Sequence, residues 1–298
     1  MRAIGMITAV QDGAHLRFLA SAIDAAAART RPIVTLVRAL LPLIEPRPER
    51  FLLILQHWDY AFHEVASIAY GKRRGAAPAV RLIPDAFFFD SRGYDELRAA
   101  AAAGSLPDWA DRQDVVFWRG SATGCTIAAE GEPAQPLDEV PRVSLCLALK
   151  DYPRTDVAIT RAWEHPIPRE QALERLTAWG IFRPAIPMIQ HGRYRYLIDI
   201  DGFANAWSFF EKLLLGCCIL KVGSPFEQWF YGDIAEWEHF VPVRQDLSDL
   251  AEKIEWCRSN DAEARAIAAR GQAFAVGHTL EVGRRNALSA IKDCCIPF

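Results

Sequence analysis

Near the middle of the chain, an arginine stands beside a turn rich in glycine and hydroxyl groups, and these residue types together are suited to binding an anion. Residues 115–118 are apolar and predict a buried strand, which Arg119, Gly120, Ser121 and Thr123 follow closely. A guanidinium group binds phosphate through a forked pair of N–H groups, and glycine lets backbone N–H groups approach a ligand. The segment therefore predicts a phosphate-binding turn at the end of a strand.

A second motif, at residues 196–202, places acidic groups after an apolar strand. Side chains alternate along a strand, so Asp199 and Asp201 are expected on one face and Ile200 on the other. Such an Asp-x-Asp pair is compatible with a divalent cation, or with contacts to ligand hydroxyls or a helix end. We expect no metal here, because a lone pair of this kind is common. Together with the phosphate-binding turn, the motif points to a nucleotide-linked substrate.

The elements that position these motifs alternate between strands and helices. Short apolar runs predict strands at residues 51–55, 79–83, 115–118, 156–160, 196–200, 217–222 and 240–243. Periodic or alanine-rich segments predict helices at residues 16–28, 94–103, 143–149, 169–179, 207–215, 247–259, 262–276 and 280–292. Alternation of this kind predicts an α/β fold with parallel sheets covered on both faces.

Composition narrows the class of protein. The chain has 298 residues, of which 51% are hydrophobic, so it can form one large or two modest domains. A net charge of −3 argues against a general nucleic-acid binder. The seven cysteines show no CxxC spacing, which argues against a zinc ribbon and favours a reducing compartment.

Location is predicted to be cytoplasmic. No apolar run reaches the roughly 18–20 residues that span a bilayer, and the first ten residues lack the pattern of a signal peptide. The basic residues Lys72, Arg73 and Arg74 form either a solvated turn or a peripheral contact with an anionic surface such as the inner membrane.

The order of the motifs resembles glycosyltransferase family 90, which includes lipopolysaccharide-modifying enzymes, capsule-associated transferases and protein O-glucosyltransferases. The resemblance covers roughly residues 51–274 and is strongest at residues 194–250. The residues that show it are 117–121, 194–202, 220–223, 229–231, 237, 239–243 and 246–250.

This resemblance implies a GT-B-like fold, in which two Rossmann-like domains with parallel sheets face a cleft. Residues 1–112 would form the acceptor-side domain, residues 113–276 the nucleotide-sugar-binding domain, and residues 277–298 a helical tail. The implied reaction is transfer of a sugar, with inversion, from a UDP-sugar to a hydroxyl of a cell-envelope glycan or glycolipid such as lipopolysaccharide. The UDP-sugar is a co-substrate, and no cofactor is implied.

An inverting transferase needs a base for the acceptor hydroxyl, and the resemblance assigns that role to Asp59, which follows the strand at residues 51–55. The alternative for Asp59 is the N-cap of a helix. Asp85 is the second candidate, as a base or as a residue that binds the acceptor.

The departing diphosphate needs positive charge and N–H groups. Arg119 is the first candidate, with Gly120, Ser121 and Thr123 beside it, and Arg142 adds to the same charge. The alternative for Arg119 is an ion pair with a nearby acid.

The chain departs from the family pattern after the Asp-Gly turn, where Asp201 and Gly202 are expected to contact the donor. Many members have an arginine in the following helix, and the resemblance puts Ser208 at that position here. Lys212, Lys221 or the helix N-terminus would then bind the diphosphate. This departure motivates an alternative function, a catalytically degenerate protein that binds nucleotide-sugars. A dehydrogenase is the third class, and the absence of a GxGxxG motif argues against it.

Overall fold

The computed structural model describes residues 6–20, 30–45, 49–61, 63–124, 135–163 and 167–298. The strands in these ranges are β1 (Met6–Asp12), β2 (His15–Ala20), β3 (Arg50–Gln56), β4 (Ser67–Ala69), β5 (Lys72–Arg73), β6 (Val80–Leu82), β7 (Gln113–Ser121), β8 (Thr155–Arg161), β9 (Tyr194–Asp199), β10 (Cys218–Val222), β11 (Phe226–Glu227), β12 (Val241–Val243) and β13 (Ile296–Pro297). The α-helices are α1 (Thr30–Leu40), α2 (Ala86–Asp90), α3 (Asp95–Ala102), α4 (Pro141–Leu149), α5 (Arg169–Ala178), α6 (Met188–His191), α7 (Phe209–Leu214), α8 (Leu250–Ser259), α9 (Asp261–Gly277) and α10 (Leu280–Cys294).

The chain divides into two compact units whose limits differ from the boundary expected at residue 112. Unit 1 contains residues 1–95, 225–233 and 278–298, and unit 2 contains residues 96–224 and 234–277. The segment expected to be a C-terminal tail belongs to unit 1, because α10 packs against β3, β4 and β6 and β13 pairs with β3. Residues 225–233 join the same unit, where β11 pairs with β5.

The sheet of unit 1 is mixed, whereas the sequence predicted a parallel one. Its order is β2-β1-β3-β4-β6, with β13 also pairing β3. Strands β3, β4 and β6 are parallel, but β1 is antiparallel to both β2 and β3. Residues 16–20, expected to be helical, form β2 because a turn at Gly13 (φ +57°) returns the chain along β1. Residues 21–28 of that predicted helix lie outside the described residues.

The sheet of unit 2 is wholly parallel, which confirms the α/β class. Its five strands have the order β12-β10-β9-β7-β8. Numbered along the chain, that order is the doubly wound 2-1-3-4-5 arrangement, in which the direction of sheet growth reverses between β7 and β9. Ile198 and Leu220 are buried on one face, Leu197 and Ile219 on the other, as expected for a sheet covered on both sides.

Two findings concern the cysteines and the membrane. The described cysteines are free, and Cys146, Cys217, Cys218, Cys257 and Cys294 are buried; Cys125 lies outside the described residues. Across the described ranges, no helix combines the length and hydropathy that a bilayer span requires.

Candidate functional site

The two sequence motifs of unit 2 lie together at the carboxyl ends of β7 and β9. Ser121 ends β7 and Thr123 follows it, while Asp201 and Gly202 follow β9. These are the adjacent strands between which the sheet reverses its direction of growth. Ligands of open α/β sheets bind in the crevice outside the carboxyl ends of such strands. The geometry therefore makes this edge of unit 2 the candidate site.

Arg142, near the start of α4, connects the two strand ends. Its Nε donates to Asp201 O at 3.0 Å, its Nη2 to Ile200 O at 3.0 Å, and its Nη1 to Thr123 Oγ1 at 2.7 Å. These hydrogen bonds fix the two loops relative to each other. Their acceptors are two backbone carbonyl oxygens and a hydroxyl oxygen. The predicted contact of Arg142 with the donor stays a prediction.

Gly202 is required by close packing between the same loops. A Cβ at this position would lie 2.7 Å from Thr123 Oγ1 and 3.2 Å from Arg142 Cζ. Gly124, which has a φ of +105°, approaches Gly202 so closely that its own Cβ would lie 3.0 Å from Gly202 O. The structure thus gives a steric reason for the Asp-Gly turn. A contact between Gly202 and the donor remains an expectation.

Asp201 connects the end of β9 to the loop after it and to the end of β10. Its Oδ1 accepts a hydrogen bond from Ala206 N at 3.1 Å, and its Oδ2 accepts one from Ser224 Oγ. These bonds hold residues 201–206 in a compact turn at the edge of the crevice.

A buried ionic cluster lies directly beneath this turn. Asp199 is 0% exposed, and its two carboxylate oxygens lie 2.7 Å from Lys212 Nζ and 2.9 Å from Lys221 Nζ. Lys221 Nζ also lies 3.6 Å from Asp201 Oδ1. Both aspartates therefore lie on one face, as alternation predicted, and Ile200 is in the hydrophobic core of the other.

Opposing effects act on the charges of this cluster. Burial alone would raise the pKa of Asp199, but the ammonium groups of Lys212 and Lys221 outweigh burial and hold that pKa below its usual value. Burial lowers the pKa of Lys212, against the effect of Asp199. Both lysines, which the sequence analysis offered as substitutes for a diphosphate-binding arginine, thus already contact a carboxylate. Within the described residues, no three His, Cys, Asp or Glu side chains are arranged to hold a metal ion.

Arg119 forms the ion pair that the sequence analysis named as its alternative role. Its Nη2 donates to both carboxylate oxygens of Asp156 at 2.7 and 2.8 Å, and its Cζ lies 4.5 Å from the centre of the Phe117 ring. Asp156 is opposite Phe117 in the sheet, so the guanidinium extends back from the carboxyl edge. A phosphate contact would require this pair to break. The neighbouring Gly120 is needed because its Cβ would lie 2.5 Å from the Trp118 ring.

Arg161 is a residue that the sequence analysis missed. It ends β8, pairs in register with Ser121, and is exposed. Its Cζ lies 5.9 Å from the centre of the Trp163 ring, and within the described part of the chain its side chain forms no ion pair. The signal was available, since Arg161 directly follows a predicted strand, just as Arg119 follows residues 115–118.

An aromatic pair crosses the end of β7 beside this arginine. The rings of Trp163, which follows β8, and Phe203, which follows β9, have centroids 5.9 Å apart. Because β8 and β9 flank β7 in the sheet, the contact passes over the carboxyl end of β7. Aromatic faces of this kind can stack on a nucleobase.

Ser208 stands at the N-cap of α7, a helix of six residues, and its side chain makes no capping hydrogen bond. It is partly buried, and its carbonyl oxygen accepts a hydrogen bond from Lys212 N at 3.0 Å. A role for Ser208 in donor binding stays a prediction.

The two candidate carboxylates of unit 1 follow parallel strands of its sheet. Asp59 lies three residues beyond β3 and is half-buried. The loop that contains it is held by Gln56, whose Nε2 donates to His63 O at 2.8 Å and to Ser67 Oγ at 2.7 Å. The described residues between β3 and β4 contain no helix, so the helix-cap alternative for Asp59 finds no helix to cap.

Asp85, in contrast, is the N-cap of α2. Its Oδ1 accepts hydrogen bonds from Phe87 N at 2.8 Å and Phe88 N at 3.1 Å. Burial raises the pKa of Asp85 to about 6, against the effect of these two bonds. The structure therefore gives Asp85 a structural role, and its contact with an acceptor is left as a prediction.

Comparison with known proteins adds to this geometry. Residues 136–281 match the model of glycosyl transferase family 90. The chain is 33% identical over 189 residues to the uncharacterized protein 027R of Frog virus 3, an alignment that takes in 57% of this chain and 18% of the viral protein. It is 29% identical over 167 residues to protein O-glucosyltransferase 3 of Rattus norvegicus, which takes in 56% of this chain and 28% of the rat protein.

Each curated relative is thus much longer than the part that aligns, which is less than a third of its length. Among solved structures, HepE from Anabaena in complex with UDP-glucose aligns with a TM-score of 0.45 and 11% identity, over 72% of this chain and 58% of that one.

Proposed function

We propose that this chain transfers a sugar from a nucleotide-sugar to a hydroxyl group of an acceptor, on the premise that its residues 136–281 belong to glycosyl transferase family 90. One observation supports this most: the phosphate-binding turn and the Asp-Gly turn both lie at the switch point of a doubly wound sheet. In that crevice a nucleoside diphosphate meets glycine-rich backbone and positive charge at once.

The donor is a UDP-sugar in this proposal, and its diphosphate lies near Arg161. That guanidinium is exposed at the carboxyl end of β8, while Arg142 brings a second positive charge to the neighbouring loops. The Trp163 and Phe203 rings beside Arg161 offer a surface for the base. Arg119 supports the site indirectly, through its ion pair with Asp156.

Transfer proceeds by a single displacement that inverts the sugar carbon. Asp59 takes the proton of the acceptor hydroxyl as its oxygen bonds to the anomeric carbon, and the bonding electrons of the departing C–O bond leave with the nucleoside diphosphate. The resemblance to the family assigns the base to Asp59, whereas Asp85 caps α2, where its Oδ1 accepts two backbone N–H groups. The acceptor is a cell-envelope glycan such as lipopolysaccharide.

The experiment follows release of UDP from UDP-glucose, UDP-galactose, UDP-xylose and UDP-N-acetylglucosamine, with and without a lipopolysaccharide acceptor. Asp59→Asn should lower kcat by about 10²–10⁴-fold, the usual contribution of a general base, without changing the Kd for UDP. Asp85→Asn is the matched control, since asparagine caps a helix as well as aspartate does, and it should keep kcat. If Asp85→Asn loses turnover and Asp59→Asn does not, the assignment of the base is wrong.

A second candidate function is binding of a nucleotide-sugar without transfer. The ion pair of Arg119 favours it, because a guanidinium held by Asp156 is withheld from a departing diphosphate. In that case the wild type binds UDP in calorimetry but consumes no donor with any acceptor, and Asp59→Asn binds UDP with the affinity of the wild type. Measurable UDP release that depends on the acceptor rules this candidate out.

A further inference from the structure

Unit 1 contains a cavity of about 460 Å³ that lies outside the site described above. Every residue that lines it belongs to unit 1, with contributions from the chain around β5 and β6, from residues 227–232 and from α10. Its volume lies within the roughly 300–1,000 Å³ typical of small-molecule sites. The residues that matter for its chemistry are Lys72, Arg81, Glu227, Trp229, Asn286 and Asp293.

The charges of this lining are balanced in pairs. Lys72 Nζ lies 3.5 Å from Glu227 Oε1, and Arg81 Nη2 lies 3.0 Å from Asp293 Oδ2. Because these two cations face two anions, they give the cavity no net attraction for a charged ligand. The partly exposed guanidinium of Arg81 and carboxylate of Asp293 have more donor and acceptor positions than their ion pair uses, so these two groups can bond a ligand that both donates and accepts.

Asn286 supplies an acceptor that needs a partner. Its Oδ1 is buried, and no group in the described part of the chain donates to it. A buried carbonyl oxygen left without a hydrogen bond is unfavourable by about 1–3 kcal/mol. A hydroxyl group bound in the cavity, with a small shift of the amide, would remove that deficit.

Trp229 adds an apolar surface among these polar groups. Its ring is half-buried and held edge-on against Phe88, with centroids 5.4 Å apart, and against Phe230 at 5.8 Å. A ligand for this cavity therefore combines many hydroxyl groups with an apolar face and carries no charge. Sugars have this combination.

We propose that this cavity of unit 1 binds an uncharged sugar unit of the acceptor, a proposal that rests on the transferase function above. It assigns to α10 and to residues 227–232 a part in acceptor recognition that the sequence motifs did not indicate. Binding there is separate from chemistry, so it can be measured whether or not the chain turns over a donor.

The test measures binding of methyl glucoside, methyl galactoside, methyl mannoside and methyl xyloside by saturation-transfer NMR. These glycosides lack a nucleoside diphosphate, and saturating UDP is present to fill the donor site. At least one should bind the wild type. Ser289→Trp, which places an indole in the cavity from an exposed position of α10, should abolish that signal. Lys292→Trp is the matched control, because Lys292 is exposed on the same helix and does not line the cavity.

A second variant, Asn286→Leu, distinguishes a loss of glycoside binding from a loss of folding. It removes the unpartnered oxygen at nearly constant volume, so its thermal midpoint should not fall, while the affinity for the bound glycoside should drop about tenfold. In the transfer assay, both cavity variants should raise the acceptor KM about tenfold and leave the donor KM unchanged. A wild type that binds none of the four glycosides, or a Ser289→Trp variant that binds them normally, overturns the proposal.

The two proposals fail in different ways. Glycoside binding that Ser289→Trp abolishes, in a chain that releases no UDP, supports the cavity and contradicts the transferase. Normal turnover and normal acceptor KM in Ser289→Trp support the transferase and contradict the cavity.

Discussion

Replacement of Asp199 by asparagine should destabilise unit 2 more than other single substitutions of its charged residues. Asp199 is wholly buried, and it contacts two ammonium groups whose side chains are only 4% and 6% exposed. Asparagine keeps the shape and removes the charge. Lys212 and Lys221 would then lie close together inside the protein without the carboxylate that both contact, while Asp201 Oδ1 lies 3.6 Å from Lys221 Nζ.

The expected loss is about 3–5 kcal/mol in the free energy of unfolding, the range measured when one partner of a buried ion pair is removed. With a urea m-value of about 3 kcal/mol/M, this corresponds to a fall of about 1–2 M in the midpoint. The loss should depend on pH. Because the pKa of Asp199 is depressed in the folded state, its contribution is complete above about pH 4 and is lost as the pH falls further.

Urea unfolding followed by far-UV circular dichroism measures this effect, with Asp151→Asn as the control. Asp151 is 87% exposed and lies 3.8 Å from Lys150, so its substitution should leave the midpoint nearly unchanged. Adding Lys212→Met to Asp199→Asn should restore part of the loss, since it removes one uncompensated buried charge. A double variant less stable than Asp199→Asn alone, or a single variant with the midpoint of Asp151→Asn, refutes the reasoning.

The remaining predictions concern the donor site, the α2 cap and the close loop packing. Arg161→Gln should weaken UDP binding about tenfold or more in calorimetry, as expected when a charge-assisted hydrogen bond is lost. Arg119→Gln should lower stability and leave the affinity for UDP nearly unchanged. The opposite result would show that Arg119, and not Arg161, contacts the phosphate. Asp85→Ala should lower the free energy of unfolding by about 1 kcal/mol. The pKa of Asp85 is raised to about 6 in the folded protein. The free energy of unfolding of the wild type should therefore fall by on the order of 3 kcal/mol relative to that of Asp85→Asn as the pH rises from 4 to 7. If the stabilities of the two proteins change with pH in parallel, this prediction is wrong. Gly202→Ala should lower the thermal midpoint through an overlap worth about 1–3 kcal/mol, while Gly277→Ala, which has no atom within 4 Å of the added Cβ, should not; equal midpoints contradict the steric account.

The parallel sheet of unit 2 could be predicted because its strands are short apolar runs separated by helices of clear period. Short apolar runs such as β9 and β10, which are flanked by glycines and polar turns, favour buried strands. The hairpin of β1 and β2 could not be predicted in the same way. Alanines beyond residue 20 favour a helix locally, and only pairing with β1, a contact of the folded chain, makes residues 16–20 a strand.

The candidate site was predicted in its location and only partly in its contacts. Strand ends and glycine turns marked the crevice between β7 and β9, because those features are local in sequence. The partner of Arg119 was not predictable, since Asp156 becomes its neighbour only when β8 pairs with β7. For the same reason, the contact of two lysines from α7 and β10 with Asp199 and the side-chain cap of α2 by Asp85 could not be predicted.

The division of unit 1 among three stretches of chain has a consequence for biosynthesis. During translation β1 and β3 are made early, but Ile296 and Pro297, which also pair with the first half of β3, and the helix α10 come more than 200 residues later in the chain. Unit 2, in contrast, is fully synthesised at residue 277. The second unit is thus complete along the chain before the first receives α10, the reverse of the usual amino-to-carboxyl order. A nascent chain stalled near residue 277 would expose the strands of β3, β4 and β6 to chaperones.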